Sequence, residues 1–503
     1  MSNPLFDVLF GQHIGNSSTF LHVPGGDAWS FNSFLRRSAQ FAHALRACDL
    51  SAGDRLALQV EKSPECLAIY AACVQSGVIL LPLNTAYTVT ELSYFIDNSG
   101  ARLVICDPAK RDAIAPVAEK HGARLETLAG DGSGSLAQIA AQEPTDFETV
   151  DRDEDDLAAF LYTSGTTGRS KGAMLTQKNL LSNALVLKEH WRFTAGDRLL
   201  HALPIFHTHG LFVGTNVMLA AGGAMIFLPK FDLEQMMRHL PQASAMMGVP
   251  TFYTRLLDDA RFSRDLTAHM RLFISGSAPL LAETHTAFEK RTGHRILERY
   301  GMTETNMNAS NPYDGERRAG SVGFPLPGIE IKITDQKGAP LPQGEIGQIE
   351  VRGPNVFKGY WQMPEKTAAE LRSDGFFITG DLGRFDEDGY LQIIGRDKDL
   401  IISGGYNIYP KEIELLLDAQ TGIQESAVIG VPHPDFGETV LALIVPQPGA
   451  EIDLTRVTDQ VTQSLARFKH PRKILQIPEL PRNAMGKVQK KVLREAYADS
   501  FVT

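Results

Sequence analysis

Helical and strand patterns alternate along the first half of the chain. The spacing of apolar residues predicts helices over residues 31–47 and 64–75, and Ser63 is suited to cap the second of them. The sequence Thr88-Val-Thr-Glu91 has the pattern of a capping box and predicts a third helix that ends near Gly100. Short apolar runs predict strands between these helices, at residues 56–60, 78–83 and 102–106. Alternating strands and helices are typical of α/β layers built on parallel sheets.

The pattern changes after about residue 320, where strands become shorter and glycine and proline more frequent, which indicates a β-rich subdomain up to about residue 394. A small unit with both element types follows. Its predicted strands lie near 400–403, 427–431, 440–445 and 473–477, and its predicted helices begin at 410 or lie near 455–466 and 488–497. The predicted fold class is α/β: a large N-terminal region, 1–395, of layered α/β subdomains with a β-rich subdomain, and a small α+β C-terminal domain, 396–503.

Composition and charge narrow the class of protein. The formal net charge of −10 argues against nucleic acid as the main partner, although residues 467–494 are strongly basic. The longest apolar stretch, residues 67–83, is interrupted by Gln75-Ser-Gly77, and the N-terminus lacks the basic region of a signal peptide. The four cysteines form no C-x-x-C pair, which indicates buried free thiols in a reducing compartment. We therefore expect a cytoplasmic protein with no nucleic-acid or membrane partner.

The segment 161–175 is the most informative stretch of the chain. An apolar run leads into Thr163-Ser-Gly-Thr-Thr-Gly-Arg-Ser-Lys171, which is rich in glycine and hydroxyl side chains. Such a loop exposes backbone N–H groups, hydroxyls and one ammonium, and therefore suits a polyphosphate. It lacks the G-x-x-x-x-G-K-[ST] order of a P-loop. The alternative, a flexible Ser/Gly linker, is disfavoured because an apolar strand precedes the loop and a capped helix begins near Thr176.

Four other stretches carry candidate chemistry. Thr303 and Glu304 lie together in 298–304, where the hydroxyl could donate to a phosphate and the carboxylate could hold Mg²⁺. Asp381 follows a glycine and is suited to a ribose diol, and Arg396 adds a cation after a predicted strand. Lys487 follows a glycine on a loop near the C-terminus. Taken singly, each of these side chains is explained equally well as a solvated residue of an ordinary loop.

Together and in this order, the stretches resemble the adenylate-forming superfamily of acyl-CoA synthetases, luciferases and adenylation domains. The resemblance runs from about residue 20 to residue 494. The matching segments are Thr163–Gly172, Leu203-Pro-Ile-Phe-His207, Ser275-Gly-Ser-Ala-Pro-Leu280, Tyr300-Gly-Met-Thr-Glu304, Thr379-Gly-Asp381, Gly395–Asp399, Ser403-Gly-Gly405 and Gly486-Lys487.

The resemblance implies an enzyme that joins a carboxylic acid to coenzyme A in two half-reactions. The acid first attacks the α-phosphate of ATP to give an acyl-adenylate and pyrophosphate, and the CoA thiol then displaces AMP. It also implies that the small C-terminal domain is mobile and rotates between the half-reactions about a hinge at Lys398. ATP, Mg²⁺ and CoA are the expected cofactors and co-substrates.

The resemblance also implies roles for individual residues. Lys487 would stabilise the meeting of two anions during adenylation, Thr303 would contact phosphate, and Glu304 would hold Mg²⁺. The expected ATP-binding residues are Thr163, Ser164, Gly165, Thr166, Thr167, Gly168, Lys171, Ser277, Ala278, Pro279, Tyr300, Asp381 and Arg396. Gly404 and Gly405 would line the path of CoA, and the basic C-terminal stretch would attract its nucleotide end.

The acid is predicted from two arginines. Arg299 occupies a position where many relatives have a small or neutral residue, and Arg255 lies in a segment that the family places beside the acyl pocket, near His207 and Thr208. Arginine matches a carboxylate in a bidentate manner, which favours a diacid. Residues 298–314, 84–87 and 357–361 resemble malonyl-CoA synthetases in particular, so we expect malonate, with methylmalonate also accepted. The alternative is that the arginines pair with protein acids such as Glu298.

Other functions stay open at this point. A medium-chain or aromatic acyl-CoA ligase would share every motif except the diacid pocket, and a stand-alone adenylation enzyme would load a carrier protein instead of CoA. A non-catalytic nucleotide-binding relative is disfavoured because Glu304, Asp381, Arg396 and Lys487 are all present. Acetylation of Lys487 would remove its charge, which makes a lysine acetyltransferase and a deacetylase candidate partners.

Overall fold

The computed structural model describes residues 2–163, 170–403, 406–433, 436–465, 467–483 and 486–501. Its helices are α1 (Pro4–Leu9), α2 (Phe31–Ala47), α3 (Pro64–Ser76), α4 (Val89–Ser99), α5 (Arg111–Lys120), α6 (Ser135–Ala141), α7 (Gln177–His190), α8 (Asn216–Ala221), α9 (Leu233–His239), α10 (Pro250–Leu257), α11 (Arg264–Thr267), α12 (Ala282–Thr292), α13 (Pro364–Glu370), α14 (Pro410–Asp418), α15 (Leu454–Ser464) and α16 (Lys490–Ala496).

The strands are β1 (Thr19–His22), β2 (Trp29–Ser30), β3 (Arg55–Gln59), β4 (Ile79–Pro82), β5 (Leu103–Cys106), β6 (Arg124–Thr127), β7 (Leu157–Thr163), β8 (Lys171–Thr176), β9 (Arg198–His201), β10 (Ala224–Phe227), β11 (Ala245–Gly248), β12 (Leu272–Ser275), β13 (Leu297–Met302), β14 (Asn306–Ser310), β15 (Phe324–Pro325), β16 (Glu330–Thr334), β17 (Gly347–Arg352), β18 (Gly359–Tyr360), β19 (Phe377–Phe385), β20 (Leu391–Arg396), β21 (Ile401–Ser403), β22 (Tyr406–Ile408), β23 (Ile423–His433), β24 (Gly437–Pro446) and β25 (Lys473–Gln476).

Two largely parallel sheets dominate the N-terminal region. One has the strand order β18-β8-β7-β4-β3-β5-β6, and the other has the order β15-β14-β13-β12-β11-β9-β10-β1-β2. The strands from β13 to β1 in the second sheet, and from β7 to β6 in the first, pair in parallel. One hydrophobic core contains buried residues of both sheets and of α2, α3, α7 and α8. This arrangement confirms the predicted α/β class.

Local capping signals define several helices as the sequence predicts. The Ser63 side chain accepts a hydrogen bond from the backbone of Cys66 at the start of α3, and Thr88 forms a reciprocal capping box with Glu91 at the start of α4. These bonds satisfy N–H groups that the first turn of a helix leaves without partners. The helix predicted over 31–47 has the same bounds as α2.

The phosphate-loop prediction needs one correction. Lys171 is not a loop residue but the first residue of β8, which pairs antiparallel with β7 and places Lys171 opposite Thr163. β7 and β8 are therefore paired with each other, and the helix α7 begins only after β8, with Thr176 as its cap. The opposite side of β8 pairs with β18, a strand nearly two hundred residues later in the chain.

An antiparallel sheet with the order β16-β17-β19-β20 forms the predicted β-rich subdomain. Its register places Asp381 of β19 directly opposite Arg396 of β20. Glu350 on β17 has no exposed side-chain surface, and it accepts hydrogen bonds from Arg372 at 2.9 and 2.7 Å and from Thr334 at 2.8 Å. Lys332 Nζ lies 3.1 Å from the same carboxylate. This buried charge cluster stabilises the sheet that holds Asp381.

A separate sheet is built from residues beyond 400, with the order β22-β21-β24-β23 and with β25 beside β24. One of its faces packs against α14 and α15 through residues such as Ile413 and Val457, and the other packs against α16 through Leu493. The C-terminal part is thus an α+β unit with its own hydrophobic clusters. The boundary between residues 395 and 396 stays a prediction.

The four cysteines, Cys48, Cys66, Cys73 and Cys106, are free and buried, as predicted. Within the described ranges, no helix combines the length and the apolar character needed to cross a bilayer.

We predict that Glu350→Gln lowers the free energy of unfolding by about 2 kcal/mol near pH 7, because Arg372 and Lys332 lose a buried counter-charge. Burial by itself would raise the pKa of Glu350, but the hydrogen bonds from Arg372, Thr334 and Lys332 lower it overall. This stabilisation is present above the unfolded pKa of about 4.3 and is lost as the pH falls through the folded pKa. Denaturant titrations of wild type and variant should therefore converge in acid.

Glu330→Gln is the matched control, because Glu330 forms a similar two-point pair with Arg352 in the same sheet but both side chains are exposed to solvent. Exposed pairs contribute little, so a loss below about 1 kcal/mol is expected. Equal losses in the two variants would contradict the account.

Candidate active site

The candidate site lies where four parallel strands of the second sheet end. β9, β11, β12 and β13 are neighbours in that sheet, so their carboxyl ends meet at one edge. In open α/β sheets, ligands bind in the crevice outside this edge. The segments that leave these strands hold His207, Ser277 and Glu304, which the sequence assigned to separate motifs.

Arg299 on β13 is the central side chain of this crevice. It is 4% exposed, and its Nε and Nη2 atoms have no hydrogen-bond partner among the described residues. Burial lowers the pKa of its guanidinium to about 9, and the nearby Tyr253 acts in the opposite direction. The space for the guanidinium exists because residue 276 is glycine, since a Cβ atom there would lie 2.3 Å from Arg299 Cζ. A buried guanidinium with open donors is a site for an anion.

Glu298 does not pair with Arg299, although the two are adjacent in sequence. Neighbouring residues of a strand point to opposite faces of the sheet. Glu298 Oε1 lies 3.2 Å from His285 Nδ1 and accepts a hydrogen bond from Gly320 N, also at 3.2 Å. Burial raises the pKa of Glu298. Among the described residues, Arg299 forms no ion pair, which removes the alternative of a structural pair with Glu298.

His209 is a functional candidate that the sequence analysis missed. It is 1% exposed and opens a π-helical turn, His209–Thr215, of the kind that often marks functional sites. Its Nδ1 lies 3.1 Å from Ser277 Oγ, whereas its Nε2 is buried without a hydrogen-bond partner in the described residues. Burial and the charge of Arg299 hold the pKa of His209 well below 6.5, so the ring is neutral. The signal in the sequence was the second histidine of His207-Thr-His209.

The other residues predicted to bind the acid lie in different surroundings. His207 lies in the crevice, where burial and then Lys487 lower its pKa to about 4. Thr208 donates its hydroxyl proton to Asn306 Oδ1 at 2.7 Å, so that proton is already used within the protein. Arg255 is exposed on α10, and its guanidinium lies over the ring of Phe231 at 5.6 Å. The structure therefore does not bring Arg255 to Arg299.

Asp381 is held by two predicted site residues from different sheets. Tyr300 on β13 donates its hydroxyl to Asp381 Oδ2 at 2.5 Å, and Arg396 Nε lies 2.7 Å from Oδ1. Burial, followed by the charge of Asp381, holds the pKa of Tyr300 well above 10. The contact fixes the β-rich subdomain against the end of β13, and it confirms that these three distant motifs meet.

Glu304 lies in a second network, which includes Thr163 and Lys171 from the two ends of the predicted phosphate loop. Its Oε1 atom is 3.0 Å from Tyr360 Oη and accepts a 3.4 Å hydrogen bond from Thr163. Tyr360 Oη is also 2.7 Å from Glu370 and accepts a 3.0 Å hydrogen bond from Lys171. Tyr360 and Glu370 are further site residues that the motifs did not indicate.

The donor set around Glu304 fits Mg²⁺. Glu304 is buried, yet no described lysine, arginine or histidine forms an ion pair with it. Mg²⁺ is usually held by one or two carboxylates and by substrate phosphates rather than by a complete protein cage. A buried carboxylate that has no cationic partner among the described residues, and that accepts a hydrogen bond from Thr163 at the start of the predicted phosphate loop, satisfies this requirement.

Lys487 reaches the same crevice from the C-terminal unit. Its loop approaches α10 closely, since a Cβ atom on Gly486 would lie 3.6 Å from Thr251. The Lys487 side chain is open to solvent within the crevice, but the surrounding protein removes much of its hydration. That desolvation, followed by repulsion from Arg396 and Arg299, lowers the pKa of Lys487 from 10.5 to about 8, although Asp381 and Glu304 oppose the change.

The remaining predicted residues are placed as follows. Ala278, Pro279 and Thr303 lie beside Ser277 and Glu304, and Ser277 has the positive φ of 71° that is uncommon outside glycine. Lys398 lies on the exposed 3₁₀ turn Asp397–Asp399 between β20 and β21. Ser164, Gly165, Thr166, Thr167, Gly168, Gly404 and Gly405 lie outside the described residues.

Comparisons with known proteins decide the family. The AMP-binding enzyme family matches residues 15–361, and the C-terminal domain of AMP-binding enzymes matches residues 412–487. The chain belongs to the AMP-binding enzyme family. The sheets of this AMP-binding enzyme, and its two-part organisation, are those of adenylate-forming enzymes.

Individual relatives of this AMP-binding enzyme differ in their acids. The malonate–CoA ligase of Arabidopsis thaliana is 35% identical over 480 residues, which are 88% of this chain and 78% of that protein. The feruloyl-CoA synthase of an Amycolatopsis species is 36% identical over 478 residues, which are 94% of this chain and 95% of that one. Identities of 35% and 36% therefore do not by themselves select between these two acids.

Solved structures of MatB from Rhodopseudomonas palustris are 56% identical in sequence. The ATP-bound structure matches with a TM-score of 0.98 over 100% of both chains, whereas the apo structure, with the same coverage, gives 0.86. Because the sequence is shared, this difference reflects the arrangement of the parts. The arrangement described for this chain, with Lys487 in the crevice, is closer to that of the ATP-bound relative.

We predict that Lys487 titrates near pH 8 in the ligand-free protein. A small amine-reactive acylating reagent modifies only the neutral amine. The labelling rate of Lys487, measured as a function of pH by peptide mass spectrometry, should therefore have its midpoint near pH 8. An ordinary lysine gives a midpoint of about 10.4. Arg396→Gln should raise the midpoint because a repelling charge is lost, and Asp381→Asn should lower it because an attracting charge is lost. A wild-type midpoint near 10, or shifts of the opposite sign, would contradict the account.

Proposed function

We propose that this AMP-binding enzyme is a malonate–CoA ligase that converts malonate, ATP and CoA into malonyl-CoA, AMP and pyrophosphate through malonyl-adenylate. The observation on which the proposal rests is the buried guanidinium of Arg299, whose Nε and Nη2 atoms have no partner in the described residues. The malonate–CoA ligase relatives from Arabidopsis thaliana and Bos taurus, 35% and 34% identical, support the same acid.

The geometry favours a short diacid over a monoacid. One carboxylate must reach the α-phosphate, and the other needs a buried counter-charge. Arg299 supplies that charge, and His209, which is neutral, can donate from Nε2 when its Nδ1 accepts the hydroxyl of Ser277. A monoacid would leave these donors buried and unpaired, a loss that can reach about 10⁴-fold in kcat/KM. One added methyl group changes the binding free energy by about 1–3 kcal/mol. We therefore expect the enzyme to use methylmalonate as well as malonate or less efficiently.

ATP occupies the crevice between β13 and the β-rich subdomain in this proposal. Asp381 accepts hydrogen bonds from the ribose diol, and Arg396 and Tyr300 fix its carboxylate in place. Ser277, Ala278 and Pro279 line the adenine pocket. Thr163 to Gly168, with Lys171, surround the β- and γ-phosphates, and ATP then competes with Tyr360 and Glu370 for the Lys171 ammonium.

Lys487 promotes the adenylation step. The carboxylate of the acid and the α-phosphate are both anionic, and a cation between them stabilises the charge as the new P–O bond forms and pyrophosphate leaves. The pKa of about 8 leaves Lys487 mostly protonated at neutral pH, and the phosphates of ATP favour the charged form further. Bound Mg²⁺ would neutralise phosphate charge, with Glu304 as its protein ligand and Thr303 beside the phosphates.

The second half-reaction needs CoA beside the adenylate. We propose that Gly404 and Gly405 line the pantetheine path and that the basic residues of 467–494 attract the nucleotide end of CoA. The C-terminal domain, residues 396–503, rotates about Lys398, which lies on an exposed turn between β20 and β21.

A cytoplasmic location is proposed from the four free, buried cysteines. Acetylation of the exposed Lys487 is proposed as a switch that turns the enzyme off.

We predict that AMP release is fast with malonate and at least about 10³-fold slower with acetate, octanoate or benzoate at equal concentration. Arg299→Met should remove malonate use without lowering the thermal midpoint, because the lost charge had no protein partner. Arg255→Met is the matched control, since Arg255 is exposed and should be dispensable. Preference for another acid, or full malonate activity in Arg299→Met, would refute the diacid assignment.

Gly276→Ala tests the same pocket without touching Arg299. The new Cβ atom would lie within 2.3–2.7 Å of three guanidinium atoms and would displace them. KM for malonate should therefore rise while KM for ATP changes little, as steady-state assays with each substrate varied will show. An equal rise in both constants would indicate a general disturbance of the crevice.

We predict that Lys487→Gln, which resembles acetyl-lysine, lowers the rate of malonyl-adenylate formation about 10²–10³-fold. Pyrophosphate exchange measures this half-reaction directly. Lys491→Gln, a change on the exposed face of α16, is the control and should be silent. Treatment with an acetyl donor should inactivate the wild type in proportion to acetyl-Lys487 seen by mass spectrometry, and a deacetylase should restore activity. Inactivation without modification of Lys487 would disprove the switch.

A further inference from the structure

A buried lysine lies next to His201, which contacts the segment that holds His209. Lys62, between β3 and α3, is 9% exposed, and among the described residues it forms no ion pair. Its Nζ atom donates to Nδ1 and to the carbonyl oxygen of His201, both at 2.8 Å, and lies 4.2 Å from the ring centre of Phe227. Burial lowers the pKa of the Lys62 amine well below 10.5, because the charged form has no counter-charge among the residues described, and an apolar side chain would destabilise the fold less. The position of Lys62 therefore calls for a role other than stability.

His201 passes this contact on to the next segment. Because its Nδ1 accepts from Lys62, its proton resides on Nε2, which donates to the carbonyl oxygen of Gly210 at 2.9 Å. The ring remains neutral, since burial and the charge of Lys62 lower the pKa of His201 to about 3. A single tautomer of His201 is thus selected, and it links Lys62 to the carbonyl of Gly210, the residue that follows His209.

The segment that receives this hydrogen bond is the π-helical turn His209–Thr215. The carbonyl of Gly210 also accepts a hydrogen bond from Thr215 Oγ1 at 3.0 Å. The fit is close on both sides: a Cβ atom on Gly210 would lie 2.1 Å from the oxygen of Pro204, and one on Gly214 would lie 3.0 Å from His201 Nε2. The turn can approach the His201 ring in this way because both positions are glycine.

We propose that Lys62 and His201 are positioning residues for the acid substrate. They hold the π-helical turn so that His209 Nε2 and the open donors of Arg299 face the same anion. The inference rests on the proposed function, in which this anion is the distal carboxylate of malonate. Lys62 and His201 do not touch the substrate, and they act through the Gly210 carbonyl and the ring of His209.

Four single variants and one double variant test the proposal. Lys62→Met removes the donor and keeps the length of the side chain. His201→Phe removes the link to Gly210, whereas His201→Gln keeps an N–H group near the position of Nε2 and is the conservative rescue. Lys230→Met is the matched control, because Lys230 lines the same cavity of about 140 Å³ as Lys62 but is exposed.

The kinetic readout compares two Michaelis constants at saturating CoA. Lys62→Met and His201→Phe should each raise KM for malonate about tenfold while KM for ATP changes by less than about twofold, and the double variant should resemble either single one. His201→Gln should recover most of the loss, and Lys230→Met should match the wild type. Additive effects, equal changes in both constants, or an unchanged Lys62→Met enzyme would overturn the proposal.

A readout without catalysis separates this inference from the proposed function. Backbone hydrogen exchange of peptides covering residues 203–216, measured by mass spectrometry on the ligand-free proteins, should be faster in Lys62→Met and His201→Phe than in the wild type or Lys230→Met. Unchanged exchange refutes the positioning role even if malonate is the substrate. Faster exchange in an enzyme that prefers another acid would support the role of Lys62 and refute the malonate assignment. If Lys62→Met does not fold, the two His201 variants decide.

Discussion

A positive charge that is buried without a counter-ion in the described part of the chain is the constraint on which the candidate site depends. Arg299 lies within β13, and its Nε and Nη2 atoms have no partner among the described residues. Leaving a charge in this state costs several kcal/mol, so the arrangement is favourable only when an anion completes it. Gly276 provides the space, and the neutral His209 ring provides a further donor without adding a second charge. The pocket is thus preorganised for an anion.

The rest of the crevice balances the same excess of positive charge. Asp381 neutralises part of the charge of Arg396 and accepts a hydrogen bond from Tyr300. The positive charges of Arg396 and Arg299 still repel the ammonium of Lys487. This field lowers the pKa of Lys487 towards neutrality, yet it also attracts anionic substrates, whose charges restore the protonated form. The β-rich sheet, held by its buried Glu350 cluster, keeps Asp381 in register with Arg396.

Much of the local structure could be predicted because its causes lie within a few residues. The caps at Ser63 and Thr88 and the spacing of apolar residues set the starts of α3 and α4, and they need no distant partner. The alternation of strands with helices likewise indicated parallel sheets. Lys171 was assigned to a loop because the Gly/Ser/Thr-rich segment does not show where the next strand begins, whereas pairing with Thr163 on β7 places Lys171 in β8. The resemblance assigned the motif residues Tyr300, Asp381 and Arg396 to one ATP site, and the structure adds the contacts of Tyr300 and Arg396 with Asp381.

The sequence by itself determined the fold class, the capped helices and the residue types available for phosphate, metal and carboxylate. Only the tertiary structure decided which charges are free. Arg299 and Glu298 are adjacent along the chain but lie on opposite faces of β13. Arg255 lies on an exposed helix face. His209 begins a π-helical turn whose Gly210 carbonyl accepts a hydrogen bond from His201. The physical reason is that a helix cap or an apolar period is a local property. The partner of a buried charge is set by contacts between segments distant in sequence.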